Sequence, residues 1–246
     1  VGIATILLSP EPKRGGAPEP GTRPPPGRSG WAEATAWMRT AVIDPFADFM
    51  DRRDWVLILI FVIFYKLGDT LAGAMANPFY LELQFTKIEI ANVSKLFGLA
   101  ATLAGGFIGG VLVNRVGILR SLLICGVLQM LSNLMFAIQA VVGHSVPMLA
   151  LTIGIENMTG GMGTAAFVAY LSGLCSVAYT ATQYALLSAL MSLPRTLLSA
   201  SAGWLADHLD WVTFFLLTTV AALPGLLLLW WLMRREPGPA AEPYST

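Results

Sequence analysis

The 246 residues carry 15 basic and 15 acidic side chains, so the formal net charge is zero and no basic field exists to attract nucleic acid. Hydrophobic residues make up 55% and charged residues 12%, against roughly 25% charged in an average soluble domain. That balance excludes an ordinary soluble fold and makes the bilayer the first solvent to consider.

In chain order, Val1 to Leu8 (VGIATILL) reads as the end of a preceding transmembrane helix. Residues 9–30, with the run PEPKRGGAPEPGTRPPPGRSG, read as a disordered Pro/Gly-rich cytoplasmic linker, because proline and glycine remove helix donors and favour disorder. Residues 31–54 form an amphipathic segment. Trp31, Met38, Val42, Phe46 and Phe49 recur at helical intervals among Glu33, Arg39, Asp44, Asp48 and Asp51, with Pro45 interrupting. Such a segment can lie along the membrane surface, or pack as an ordinary helix on the cytoplasmic ends of a bundle.

Residues 55–233 are expected to form an all-α, six-helix transmembrane bundle. The apolar runs extend from Trp55 to Tyr80, Val93 to Val113, Ser121 to Val142, Pro147 to Cys175, Thr182 to Ala206 and Trp211 to Met233, each near the roughly 20 residues needed to cross hydrocarbon. Residues 234–246 are left as a cytoplasmic tail. The two cysteines, Cys125 and Cys175, lie inside apolar runs and read as small packing residues. Trp55, Trp211, Trp230 and Trp231 stand near span ends, where interfacial anchoring accounts for them.

Lys and Arg are retained on the cytoplasmic side of spanning helices. Arg52 and Arg53 precede the first span, Arg115 and Arg120 separate the second from the third, and Arg234 and Arg235 follow the sixth. All three clusters fall on one face, so both ends of the chain are expected in the cytoplasm. The other face carries Glu82, Lys87 and Glu89, then His144, then Asp207, His208 and Asp210.

The second span ends in Gly110-Val-Leu112-Val-Asn114, the fifth in Gly203-Trp-Leu205-Ala-Asp207. This shared pattern recurs at equivalent places in successive groups of three helices, on opposite faces. Inverted three-plus-three repeats of secondary transporters have that property. Gly110 to Arg120 (GVLVNRVGILR) moreover resembles the loop motif of the major facilitator superfamily, G-x-L-a-D-R-x-G-R-R, with Asn114 in place of the usual Asp. Phe64-Tyr-Lys-Leu-Gly-Asp69, Glu156-Asn157, Gly163-Thr-Ala-Ala-Phe-Val-Ala169, Ala181-Thr-Gln-Tyr-Ala-Leu-Leu-Ser188 and Pro224-Gly-Leu-Leu-Leu-Leu229 are similar to the C-terminal half of AmpG-type muropeptide permeases. The resemblance implies import of anhydromuropeptides driven by the proton gradient across a bacterial inner membrane, with the lipid bilayer and a separate N-terminal six-helix half as partners.

Ionisable residues within spanning helices are costly to insert, which makes each a candidate for function. Lys66 and Asp69 are three residues apart, about 60° around a helix, and their face continues to Gly73, Asn77 and Tyr80. Glu156 shares a face with Thr152, Thr159, Gly163, Phe167 and Tyr170, while Gly160, Gly161 and Gly163 are expected to loosen the helix beside it. Glu156 and Asp69 are the proton-coupling candidates. Lys66, Asn77, Gln129, Asn133, Asn157, Tyr184 and Arg195 are the cavity candidates, Arg195 aligning with Tyr184, Ser188, Met191 and Ser199. Its guanidinium can clamp a carboxylate, or alternatively satisfy carbonyls freed by Pro194. A structural ion pair for Lys66 with Asp69, a structural hydrogen bond for Glu156 and interhelical contacts for Gln129 and Asn133 are the competing accounts. Gly105-x-x-x-Gly109 and Gly106-x-x-x-Gly110 permit close helix packing.

There is no Walker lysine, no His-Glu-x-x-His and no His/Cys cluster, so neither a cofactor nor a metal site is expected, and no nucleophile–base arrangement suggests an enzyme. The expected function is proton symport of a muropeptide. A related permease for an acyl-CoA or sugar conjugate is the alternative, followed by a membrane-embedded enzyme or scaffold.

Overall fold

The computed structural model describes residues 43–51, 54–175 and 179–235, with the side chains of residues 180, 181, 190, 191 and 193–200 outside that description. The segments expected at 1–8 and 9–30 lie outside the described residues, as does the tail beyond Arg235. Among the described residues regular structure is helical. A short helix, Asp44–Met50, precedes six spans: Trp55–Glu82, Lys87–Val116, Ile118–Val142, Val146–Leu174, Thr180–His208 and Trp211–Arg235.

Pro45 stands in the first turn of the described helix, a position where proline is tolerated, and residues 31–42 of the expected amphipathic segment lie outside the described residues. Phe49 is buried, and Gln183 of the fifth span donates from Nε2 to the Pro45 carbonyl (3.0 Å) and to Asp48 Oδ2 (2.7 Å). The helix is thus docked on the bundle.

The second span starts at Lys87, six residues before the expected Val93. Thr86 accepts from the Glu89 amide (3.2 Å) while the Glu89 carboxylate accepts from the Thr86 amide (2.8 Å), a capping box that satisfies two free donors. Asp210 caps the sixth span with its side chain alone. Its carboxylate accepts from the Thr213 amide (3.0 Å) and hydroxyl (2.7 Å), and these bonds hold it below the ordinary carboxylate range.

Four spans are long and apolar enough to cross a membrane: Trp55–Glu82, Lys87–Val116, Ile118–Val142 and Trp211–Arg235. The fourth and fifth, 29 residues each, have the length but not the apolarity, contrary to the expectation of six equivalent runs. Their hydropathy is diluted by Glu156, Asn157 and three nearby glycines in one, and by Gln183, Ser188, Ser192 and Arg195 in the other. Helices of that kind need a polar cavity or protein to face instead of lipid.

The second and third spans pack on the fourth, and the fifth and sixth pack on the first, while the third and sixth pack on each other. Exchanging the first triplet with the second maps this pattern onto itself, as an inverted repeat requires. The spans meet at glycines. A Cβ on Gly105 or Gly109 of the second span would run into the backbone of Met158 or Met162, and one on Gly161 into the Thr102 carbonyl. Gly106 and Gly110, the other expected packing pair, have nothing within 4 Å.

Two apolar clusters fill the bundle. One gathers Phe61, Tyr65, Leu122, Phe167, Leu187 and Leu229; the other gathers Phe79, Tyr80, Phe136, Ile153, Ala202 and Phe215. On the first span the buried members of the two are separated by residues 66–70, on the third by 126–135 and on the fourth by 154–161. Lys66, Asp69, Gln129, Asn133, Glu156 and Asn157 occupy this intermediate level. Trp211 packs at a tilt against Phe79 and stacks on Phe215, with ring centroids 5.1 and 5.9 Å away, so packing accounts for it as much as anchoring does.

The glycine geometry separates two pairs that the sequence treats alike. Gly105→Ala and Gly109→Ala should each lower stability by at least about 2 kcal/mol because rigid backbone lies in the way, whereas Gly106→Ala and Gly110→Ala should be nearly neutral. Thermal unfolding midpoints of the purified protein in detergent check this.

Candidate functional site

The first span breaks at Lys66, whose φ of −97° and ψ of 1° leave the helical region between Trp55–Tyr65 and Leu67–Glu82. The break lies where the sixth span crosses. A Cβ on Gly68 would come within 2.7 Å of the Thr218 carbonyl, and one on Gly225 within 2.8 Å of the Phe64 backbone. The sixth span has its own interruption at Ala222, beside Gly68. Two interrupted helices in close contact therefore place Lys66 at the intermediate level of the bundle.

From there the Lys66 ammonium donates to Asp69 Oδ2 (3.3 Å) and to Gln129 Oε1 of the third span (3.3 Å). Lys66 and Asp69 are only 17% and 20% exposed, so the pair is held away from bulk solvent. Gly163 makes this meeting possible, since a Cβ there would stand 2.5 Å from Gln129 Oε1 and 3.8 Å from Lys66 Nζ. On the fourth span Glu156 Oε2 accepts from Asn157 Nδ2 (3.1 Å). Glu156 makes no ion pair among the described residues, yet it lies within electrostatic reach of Lys66, Asp69 and Tyr80.

These groups border a cleft of about 420 Å³ lined by Lys66, Asp69, Thr102, Gln129, Glu156, Asn157 and Thr164, with Gly106, Gly160, Gly161 and Ala165. A larger concavity of about 600 Å³, among Leu96, Phe97, Ala104, Leu151 and Met158 on the second and fourth spans, holds no ionisable group. The chemistry belongs to the smaller one.

Five of the nine expected site residues therefore converge: Lys66, Asp69, Gln129, Glu156 and Asn157. Asn77 is exposed on the first span outside the cleft, and Tyr184 packs against the cluster around Tyr65. Asn133 is 2% exposed and lies off the cleft, its Nδ2 without a hydrogen-bond partner among the described residues. Arg195 lies on the fifth span between buried Leu187 and Ala202, but its side chain is outside the described residues.

The stripe from Lys66 to Tyr80 does not remain polar throughout. Phe85 folds back edge-on over Tyr80 (6.5 Å), which also stacks on Phe136 (6.2 Å), and the ring is buried. Thr152, on the Glu156 face by spacing, donates to Gln139 Oε1 (3.3 Å) and joins the third and fourth spans instead of the cleft. The glycines at 160, 161 and 163 do not loosen the fourth span, which is continuous from Val146 to Leu174; they admit neighbouring groups. Thr102 and Thr164 line the cleft unforeseen. The one local signal for Thr102 is its position as a polar residue beside Gly105 and Gly106 on an otherwise apolar helix.

Removing one partner of a sequestered ion pair strands the other charge, while removing both is far cheaper. Lys66→Met and Asp69→Leu should each cost on the order of 3 kcal/mol, and the double variant should cost less than either. Thermal unfolding of all three variants tests that order.

Residues 55–245 match the sequence model described as Major Facilitator Superfamily. The chain is 46% identical over 198 residues to "Putative transporter AmpG 4" of Rickettsia conorii, covering 80% of this chain and 48% of that protein. It is 40% identical over 174 residues to "Putative transporter AmpG 1" of Rickettsia prowazekii, covering 71% and 39%. To the "Anhydromuropeptide permease" of Escherichia coli K12 it is 39% identical over 193 residues, covering 78% and 39%. The chain spans half or less of the length of these relatives. The family and the relatives are transporters rather than enzymes. On the strength of a match extending across its whole helical bundle, the chain belongs to the major facilitator superfamily.

Proposed function

We propose that this chain forms the C-terminal half of a proton-coupled secondary transporter that imports cell-wall-derived anhydromuropeptides across the bacterial inner membrane. The cleft faces an N-terminal six-helix half, and both ends of the present chain lie in the cytoplasm. The observation that supports this reading is the convergence of Lys66, Asp69 and Glu156 on one cleft at the intermediate level of the bundle.

The coupling follows from charge. Lys66 and Asp69 neutralise each other at 3.3 Å, so the net charge of the cleft depends on Glu156. Before substrate enters, ionised Glu156 leaves the cleft with one negative charge and protonated Glu156 leaves it neutral, so protonation removes one negative charge from the filled cleft as well, whatever charge the substrate brings. Closing a neutral cleft away from water costs less than closing a charged one. The protonated, substrate-filled state is therefore the one that passes between the two faces, and proton entry from outside drives import. Asp69 is held by Lys66 as a charge-balanced pair.

Gln129, Asn157, Thr102 and Thr164 offer amides and hydroxyls of the kind that match sugar hydroxyl and peptide groups, and Lys66 retains a third N–H without an acceptor among the described residues. That donor suits a substrate carboxylate. The printed name of the Escherichia coli relative supports an anhydromuropeptide as the ligand that combines these groups.

In the full-length transporter, Glu156→Gln should abolish proton-driven accumulation of labelled anhydromuropeptide in membrane vesicles while leaving exchange within about threefold of wild type. Uphill uptake that survives the substitution excludes Glu156 from coupling. Competition by an unlabelled acyl-CoA or sugar conjugate, without competition by anhydromuropeptide, rejects the substrate assignment.

A further inference from the structure

Glu156 is joined to the second span through two neutral side chains. Asn157 Nδ2 donates to Glu156 Oε2 (3.1 Å) and to the Ile153 carbonyl of its own helix (2.8 Å). A carbonyl can only accept, so the amide orientation is fixed and Oδ1 faces away from the carboxylate. That oxygen lies 3.1 Å from Thr102 Oγ1 on the second span, and Thr102 Oγ1 also lies 2.9 Å from the Gly98 carbonyl one turn back. Thr102 has one hydroxyl hydrogen for these two acceptors.

The surrounding backbone is fitted to this contact. Gly161 allows the fourth span to approach the Thr102 carbonyl, and Gly98 lies beside Asn157, where a Cβ would stand at ordinary contact distance, 3.5 Å, from Nδ2. Gly98 closes the π-helical segment Ser94–Gly98, an irregularity of the type that recurs at functional sites.

We propose that Asn157 and Thr102 are positioning residues that couple the protonation state of Glu156 to the contact between the second and fourth spans. The inference rests on the reading of Glu156 as the proton site. When Glu156 is ionised, its charge strengthens the Asn157 N–H bond and polarises the amide, making Oδ1 the better acceptor. The Thr102 hydrogen then points across to Asn157 and ties the two spans together. When Glu156 is protonated the amide is less polarised, and the hydrogen returns to Gly98 within the second span. No bond to carbon forms or breaks; one hydroxyl hydrogen changes acceptor.

The charged and titratable groups around Glu156 are Lys66, Asp69 and Tyr80 of the first span. The third span presents neutral Gln129, and the second presents Thr102, with Lys95 about two turns and Glu89 more than three turns nearer its start. Arg195 is on the fifth span, its side chain outside the described residues. The paired ions do not touch Asn157, so the Asn157–Thr102 link is the direct hydrogen-bonded route from the carboxylate to the second span among the described residues.

Two readouts on the full-length transporter test the assignment. Thr102→Val keeps the shape of an exposed side chain and deletes its hydroxyl, while Thr102→Ser restores the hydroxyl. Val should reduce uphill accumulation of anhydromuropeptide relative to exchange by roughly fivefold, the worth of one neutral hydrogen bond, and Ser should recover it. Independently of any substrate, the infrared difference spectrum between acidic and alkaline buffer should contain an asparagine amide band alongside the carboxyl band. That amide band should vanish in Asn157→Leu and Glu156→Gln, shift in Thr102→Val and remain in Thr102→Ser. A Thr102→Val spectrum identical to wild type overturns the link. If wild type fails to accumulate anhydromuropeptide, or Glu156→Gln leaves accumulation unchanged, the transport reading fails instead, and the infrared bands still decide the link.

Discussion

Charge compensation inside a low-dielectric bundle is the constraint on which the site depends. A single unpaired ammonium or carboxylate at that depth costs several kcal/mol, and a hydrogen-bonded pair reduces the cost without abolishing it. Lys66 meets this constraint with Asp69 at 3.3 Å and Gln129 at 3.3 Å. Glu156 meets it with one amide and the cleft, which among the described residues leaves its charge the least compensated of the three. The asymmetry between a balanced pair and a lone carboxylate gives the site two states differing by one proton.

Small residues make the arrangement possible. Gly68 and Gly225 let the interrupted first and sixth spans cross, Gly163 lets Gln129 reach Lys66, and Gly105, Gly109 and Gly161 bring the second and fourth spans to backbone contact. Lipid offers helices no hydrophobic drive to associate, so close backbone approach and interhelical hydrogen bonds hold them together. The same crossings that stabilise the bundle also fix the cleft wall. The exposed side chains Leu99, Leu103 and Phe107 of the second span then mark a surface turned to lipid or to another apolar partner.

Much of this was legible in the sequence, because insertion cost leaves few ionisable residues in apolar helices and helical spacing tells which of them share a face. Lys66 with Asp69 follows from a separation of three residues, and Glu156 stands out in the middle of its span. What the sequence left open depends on neighbours. Spacing puts Tyr80 on the Lys66 face, but Phe85 and Phe136 cover it; Asn133 follows Gln129 by one turn, yet only Gln129 reaches the cleft. Thr102 was missed because a lone threonine on a glycine-rich helix is unremarkable until the fourth span lies against it. Capping also shifted a boundary: Thr86 and Glu89 start the second span earlier than its apolar run indicates.

For Glu156 to take up a proton, this polar level must open to water instead of lipid. Single cysteines placed at Gly106 and Thr164 in a full-length transporter with Cys125 and Cys175 replaced by serine provide the most direct test. A small hydrophilic thiosulfonate applied to membranes should modify both, and added anhydromuropeptide should slow the reaction, while a cysteine at exposed Leu103 should remain inert. Equal inertness at all three positions would contradict the account, since a cleft that water does not enter cannot deliver a proton to Glu156.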